Sequence, residues 1–162
     1  MPFFLKDRDI SSDVATIRSA LIVPCRFCPA ASLAMREGKP YLRPLRRLLR
    51  TPAYESHVAT LKARLESKGI KTAVFDSKIV HQFVICMWTE GRRQQLARRA
   101  ARYDAVIALG CDAAVETIRS AVQASGCRVI PAMEVEGIMN VMPGVRFPFD
   151  IWLRLGHVTP LS

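Results

Sequence analysis

Hydrophobic and polar positions alternate along this chain between two patterns. Short, largely apolar runs at Ala20–Val23, Ile70–Phe75, Ala105–Leu109 and Cys127–Ile130 read as strands, and Ala105–Leu109 is unbroken, as in a strand covered on both faces. Between them lie longer segments with apolar residues at helical spacing. Tyr54, Val58, Leu61 and Leu65 form one stripe and Gly69 stops it. Leu96, Ala100 and Tyr103 form a second within Glu90–Tyr103. Val115, Ile118 and Val122 form a third, with Asp112 as N-cap and Gly126 at its end. A further helix opens at Pro29, a residue favoured at a first helical position because its missing N–H would be unpaired there. This alternation predicts an α/β fold with a doubly wound, mostly parallel sheet, a Rossmann-like three-layer sandwich.

The remaining stretches carry weaker patterns. Residues 1–13 read as an N-terminal arm whose Phe3, Phe4 and Leu5 are available for packing, and Asp13–Ile17 as a short capped helix. The connector Gly38–Pro52 holds Arg43, Arg46, Arg47 and Arg50, and its leucines predict one or two helical turns between Pro44 and Pro52. Ile79–Trp88 fits a strand or a buried helix equally. Glu134 and Glu136 read as solvated loop residues after the last strand. Residues 145–162 form an apolar tail with Phe147, Phe149 and Trp152, a docking segment in expectation because proline punctuates it.

The 162 residues, half of them hydrophobic, suit one domain, 1–162, with a full core. No apolar run is long enough for a membrane-spanning helix, and the charged N-terminus lacks a signal-peptide core. Five cysteines are an odd set for a secreted disulfide framework, so the chain is expected in the cytoplasm with reduced thiols. The net charge of +10 resides wholly in the first 103 residues, a field suited to nucleic acid, an anionic cofactor or an acidic partner.

The cysteines are the strongest chemical signal. Cys25-Arg26-Phe27-Cys28 follows a strand and precedes a helix, a setting that favours thiolate. Cys111 follows the strand Ala105–Leu109, and Cys86 nears the end of the ambiguous run. In a parallel sheet these positions share the C-terminal edge, where ligands collect, whereas Cys127 begins its strand and falls at the opposite edge. Cys25, Cys28, Cys86 and Cys111 are therefore the candidate metal ligands, a thiolate set suited to a [4Fe-4S] cluster or zinc. No P-loop, GxGxxG, Ser-His-Asp or paired-carboxylate arrangement is present, so no catalytic residue is named.

Two stretches, IVPCRFCPAAS and DAVIALGCDAAVETI through CRVIPAMEVEGIMNVMPG, resemble the cysteine-rich C-terminal domain of methylenetetrahydrofolate reductases, also found as a small accessory subunit in anaerobes. The resemblance maps onto Cys25, Cys28, Cys86, Gly110-Cys111 and Pro131-Ala132. Where members carry a further cysteine after the Cys-x-x-Cys, this chain has Ser32 nearby. The arginine connector departs from the family too. The resemblance implies an iron–sulfur or zinc accessory subunit of a cytoplasmic redox complex in one-carbon metabolism. Its partner would be a larger flavin-containing reductase subunit, or a second copy through the tail. A thiol–disulfide oxidoreductase using Cys25 as nucleophile and Cys28 to resolve is the alternative. A nucleic-acid binder using Arg43–Arg50 and Arg92–Arg102 is the third.

Overall fold

A computed structural model describes residues 3–45, 48–75 and 84–161. The chain is mixed α/β, with a four-stranded parallel sheet and a separate three-stranded antiparallel one. The parallel sheet comprises β2 (Ser19–Pro24), β5 (Lys71–Val74), β6 (Ala105–Leu109) and β7 (Arg128–Pro131), in the order β5-β2-β6-β7. Ala20 pairs with Ala105 and Ile22 with Ile107, so β2 and β6 form the centre. All five residues of β6 are buried, as its unbroken apolar run requires. At the opposite end of this pair, Asp104 accepts the backbone N–H groups of Arg18 and Ser19 at 2.8 and 2.9 Å, which pins the register. From β2 the chain goes first to β5 on one side and later to β6 on the other. The carboxyl ends of β2 and β6 therefore face the point where strand order reverses, the place such sheets use for ligands.

Helices α1 (Cys28–Glu37) and α2 (Pro52–Ser67) pack together, as do α3 (Glu90–Ala100) and α4 (Asp112–Val122). Each buries the predicted stripe: Tyr54, Leu61 and Leu65 in α2, Leu96 and Ala100 in α3, Val115, Ile118 and Val122 in α4. Helix α1 is buried from Cys28 through Ala34 because it has neighbours on two sides. Cys28, Ala30 and Leu33 join the main core, while Ala31 packs with Phe4 and Met139 of the antiparallel sheet. Its small residues suit that close approach from both directions.

The antiparallel sheet corrects several expectations. The supposed arm contains β1 (Phe3–Asp7), paired along β8 (Met133–Arg146), with Phe4 and Leu5 buried. Glu134 and Glu136 lie in β8 rather than a loop, and they pair with Lys6 and Arg36 across the face. The apolar tail supplies β9 (Asp150–Pro160), which runs back along β8 from the Arg146–Asp150 pair to the Gly137–Pro160 pair. Its prolines fall at Pro148 in the hairpin turn and at the strand end, where no ladder donor is lost.

Two short segments also differ. Residues 11–16 form consecutive turns, not a capped helix. The arginine connector forms an antiparallel pair, β3 (Arg43–Leu45) with β4 (Leu48–Arg50), in place of helical turns. Residues 46 and 47 lie outside the described residues, as do 79–83 of the ambiguous run, His81 included. The described end of that run is a single 3-10 turn, Ile85–Met87, packed against α4.

Candidate functional site

Three elements deliver cysteines to the reversal point. Cys25 follows β2, and its backbone N–H donates to Leu109 O at 2.9 Å, tying it to the end of β6. Cys28 opens α1, whose Pro29 occupies the first turn as the sequence predicts. Cys111 stands at the N-cap of α4, where an N-cap from Asp112 is expected; Asp112 is instead the first helical residue. Gly110 makes the junction possible. A Cβ there would lie 2.6 Å from Ala114 Cβ and 3.4 Å from Cys25 Cβ. All three cysteines are buried.

The thiols are not equivalent. The Cys28 thiol hydrogen-bonds the Cys111 sulfur, and this contact, with the N–H groups of Ala114 and Ala113, pulls Cys111 down to about 6 against the opposing effect of burial. That is the behaviour of a thiolate at a helix N-terminus. Cys28, the donor of the pair, is held protonated well above the usual thiol range by the same hydrogen bond and by burial. Burial pushes Cys25 up to about 11, although the N–H groups of Ile85 and Phe27 face its sulfur. The strand-to-helix setting therefore does not favour thiolate at Cys25 or Cys28: the interaction with Cys111 holds Cys28 protonated, and at Cys25 desolvation outweighs the facing backbone N–H groups. Of the Cys28–Cys111 pair, Cys111 is the one held toward thiolate and Cys28 the one held toward thiol.

Cys86 sits in the 3-10 turn and is exposed, near enough for its charge to act on Cys25. Cys127 lies elsewhere, half-buried, with its sulfur 3.4 Å from Tyr103 O and under the influence of Asp104 at the other end of the sheet. Among the described residues, no group of three or more His, Cys, Asp or Glu side chains stands in an arrangement that could hold a metal ion.

Two tyrosines complete the surroundings, and sequence reasoning assigned them no part. Tyr54 is buried, with its hydroxyl donating to Leu109 O at 3.2 Å beside Cys25. Tyr41 is pushed up to about 12 by burial and by the charge of Cys28 and Cys25. Tyr54 registers in the sequence only as one member of a helical apolar stripe, and nothing local marks where its hydroxyl goes. Ser32 is fully buried in α1, accepting the Leu5 N–H at 3.0 Å and donating to Cys28 O at 2.9 Å. It ties β1 to the cysteine-bearing turn.

The basic residues are dispersed. Arg43 grips Asp150 through three hydrogen bonds of 2.8–3.1 Å. Arg92 and Arg99 lie over the Phe75 ring, while Arg98 and Arg102 are exposed. No helix among the described residues is long and apolar enough to cross a membrane. No family model, curated protein or solved structure matches the chain.

Proposed function

We propose that this chain is a thiolate metal-binding accessory subunit of a cytoplasmic redox complex, of the methylenetetrahydrofolate-reductase kind its cysteine motifs resemble. The observation that supports this reading is that Cys25, Cys28 and Cys111 all lie at the strand-order reversal, near enough to act on one another and with backbone N–H groups facing the Cys25 and Cys111 sulfurs, although in this structure they do not stand as a metal-holding group. Such donors offset thiolate charge and tune a soft metal centre. A metal ion would displace the proton held on Cys28, and Cys25 and Cys86 are the remaining donors of the set. A [4Fe-4S] cluster would supply one-electron transfer to a flavin in a partner; zinc would supply a structural clasp. The strand order β5-β2-β6-β7 with paired helices is in keeping with a doubly wound, Rossmann-like sandwich. The exposed hairpin turn at Phe147 and Phe149 suits docking on a flavin-containing reductase subunit or a second copy.

Anaerobic purification, absorbance and metal analysis test the reading. Bound iron or zinc that is lost on Cys25→Ser, Cys28→Ser or Cys111→Ser, and kept on Cys127→Ser, supports it. Loss on Cys127→Ser, or no metal after anaerobic reconstitution, overturns it.

One observation favours a second reading, thiol–disulfide exchange. Cys111 is the thiolate and Cys28 its hydrogen-bonded partner, so the exchanging pair would be Cys111 and Cys28 in place of Cys25 and Cys28. Cys111 would attack an external disulfide, and Cys28 would resolve the mixed disulfide, leaving two external thiols and a Cys28–Cys111 bridge. Metal-free protein that cycles this pair with a dithiol would favour it. A nucleic-acid role would draw on the exposed Arg98, Arg99 and Arg102, which line one surface depression with Tyr103.

A further inference from the structure

A second feature of the same sheet edge lies beyond Tyr54. A cavity of about 140 Å³ opens at the carboxyl ends of β6 and β7, with Leu109 and Ala132 in its wall. Ile10 and Leu61, both buried, extend the apolar side. The polar part of the lining is Asp7, Arg8, His57, Thr60 and Arg64.

The charges of this polar part are incompletely used. Arg64 makes no ion pair among the described residues. Arg8 reaches Asp13 only at 3.4 Å, and Asp13 is shared with Arg128 at 3.1 Å. The single lining acid, Asp7, is engaged by His57, whose Nε2 is 3.4 Å from its Oδ1. His57 is itself fixed by stacking on Tyr54, with ring centroids 6.5 Å apart and planes at 12°. The cavity thus couples two guanidinium groups with spare donors to a short apolar wall.

We infer that this cavity binds a short-chain aliphatic carboxylate, its carboxyl group on Arg64 and Arg8 and its carbon chain against Ile10, Leu61 and Leu109. A guanidinium fork matches the two oxygens of a carboxylate. The volume is close to that of a cavity known to admit benzene, so a ligand of about six non-hydrogen atoms fits. The apolar wall selects an organic acid over an inorganic ion, since each buried methylene contributes about 0.8 kcal/mol. The site stands apart from the thiols, and its test uses no metal or redox readout.

Calorimetric titration of the full chain with butyrate, acetate and inorganic phosphate tests the inference. Butyrate is expected to bind saturably with 1:1 stoichiometry, about tenfold or more tighter than acetate. Arg64→Gln, at an exposed helix position, is expected to weaken butyrate at least about tenfold, and Arg102→Gln to leave it unchanged. Should Arg64→Gln fail to fold, Arg64→Lys and Arg8→Gln take its place with the same expected direction. Tighter binding of phosphate than butyrate, equal losses in Arg64→Gln and Arg102→Gln, or no saturation by ~10 mM butyrate overturns the inference.

Discussion

Cys28 at the start of α1 and Cys111 at the N-cap of α4 act on one another, in the direction that keeps the proton on Cys28 and lowers Cys111. This sets the direction in which stability responds to pH in the reduced, metal-free protein. Cys111 is depressed from the ordinary thiol value of 9.0 to about 6, so its contribution is full above 9 and is lost as pH falls toward 6. Cys25, raised to about 11, acts oppositely, stabilising below 9 and losing that contribution as pH rises. The excess melting temperature of the wild type over Cys111→Ser is therefore expected to grow between pH 6 and 9. Paired melts across that range check it, and a flat difference would show that Cys111 holds no thiolate.

Gly110 is the closest packing constraint at the site. A methyl group there meets Ala114 Cβ, fixed on α4, and presses on Cys25 Cβ. Neither neighbour is the far end of a flexible side chain, so the helix must shift. Gly110→Ala is expected to cost about 1–3 kcal/mol in denaturant unfolding and to weaken any metal bound at Cys25 and Cys111. Unchanged stability would mean that α4 moves freely at its N-terminus.

Ser32 serves β1 and α1 at once. The ladder between β1 and β8 shifts register between Phe4 and Leu5, and the Leu5 N–H turns to Ser32 Oγ instead of a strand partner. Ser32→Ala leaves that buried donor unpaired, at an expected cost of about 1–3 kcal/mol. Amide exchange should localise the loss to Leu5 and its neighbours. Ser32→Cys keeps the size but offers a weaker acceptor, and is expected to fall between the two.

The parallel half of this molecule is written locally. Strands such as Ala105–Leu109 bury every side chain, and helices such as 52–67 carry an uninterrupted stripe, so periodicity alone places them. The antiparallel half is not. Strand β8 alternates buried and exposed residues only over its first part, then runs exposed through Met142–Arg146, where no core face imposes a pattern. β1 pairs with β8 across opposite ends of the chain, β9 folds back on β8 as a hairpin, and neither β1 nor β9 is marked by a local buried-and-exposed alternation. At the thiols, position follows from strand order, but acidity does not. Whether a cysteine is thiolate depends on how deeply it is buried and which sulfur donates to it, as the contrast between Cys25 and Cys111 shows.

The hairpin turn tests what the apolar end of the chain is for. Removing everything after Gly144 would strip β9 from β8 and expose Met139 and its neighbours, so truncation confuses folding with docking. Point changes separate them. Phe147 is 98% exposed and Phe149 74% in the hairpin turn, with Val145 72% exposed at the end of β8, and the turn is braced at its base. The brace is the Arg43–Asp150 pair together with backbone bonds from Tyr41 and Leu42 to Ile151 O at 2.8 and 3.2 Å. An aromatic projection held at its base loses less conformational freedom on binding than a free tail, and its rings gain most when desolvated. The double change Phe147→Ser with Phe149→Ser removes no buried contact, so unfolding free energy is expected to stay within about 0.5 kcal/mol of wild type. Light scattering over a range of concentrations should show association in the wild type and a monomer in the variant. Association that survives the double change would place the contact elsewhere on the surface and leave the turn without a docking role.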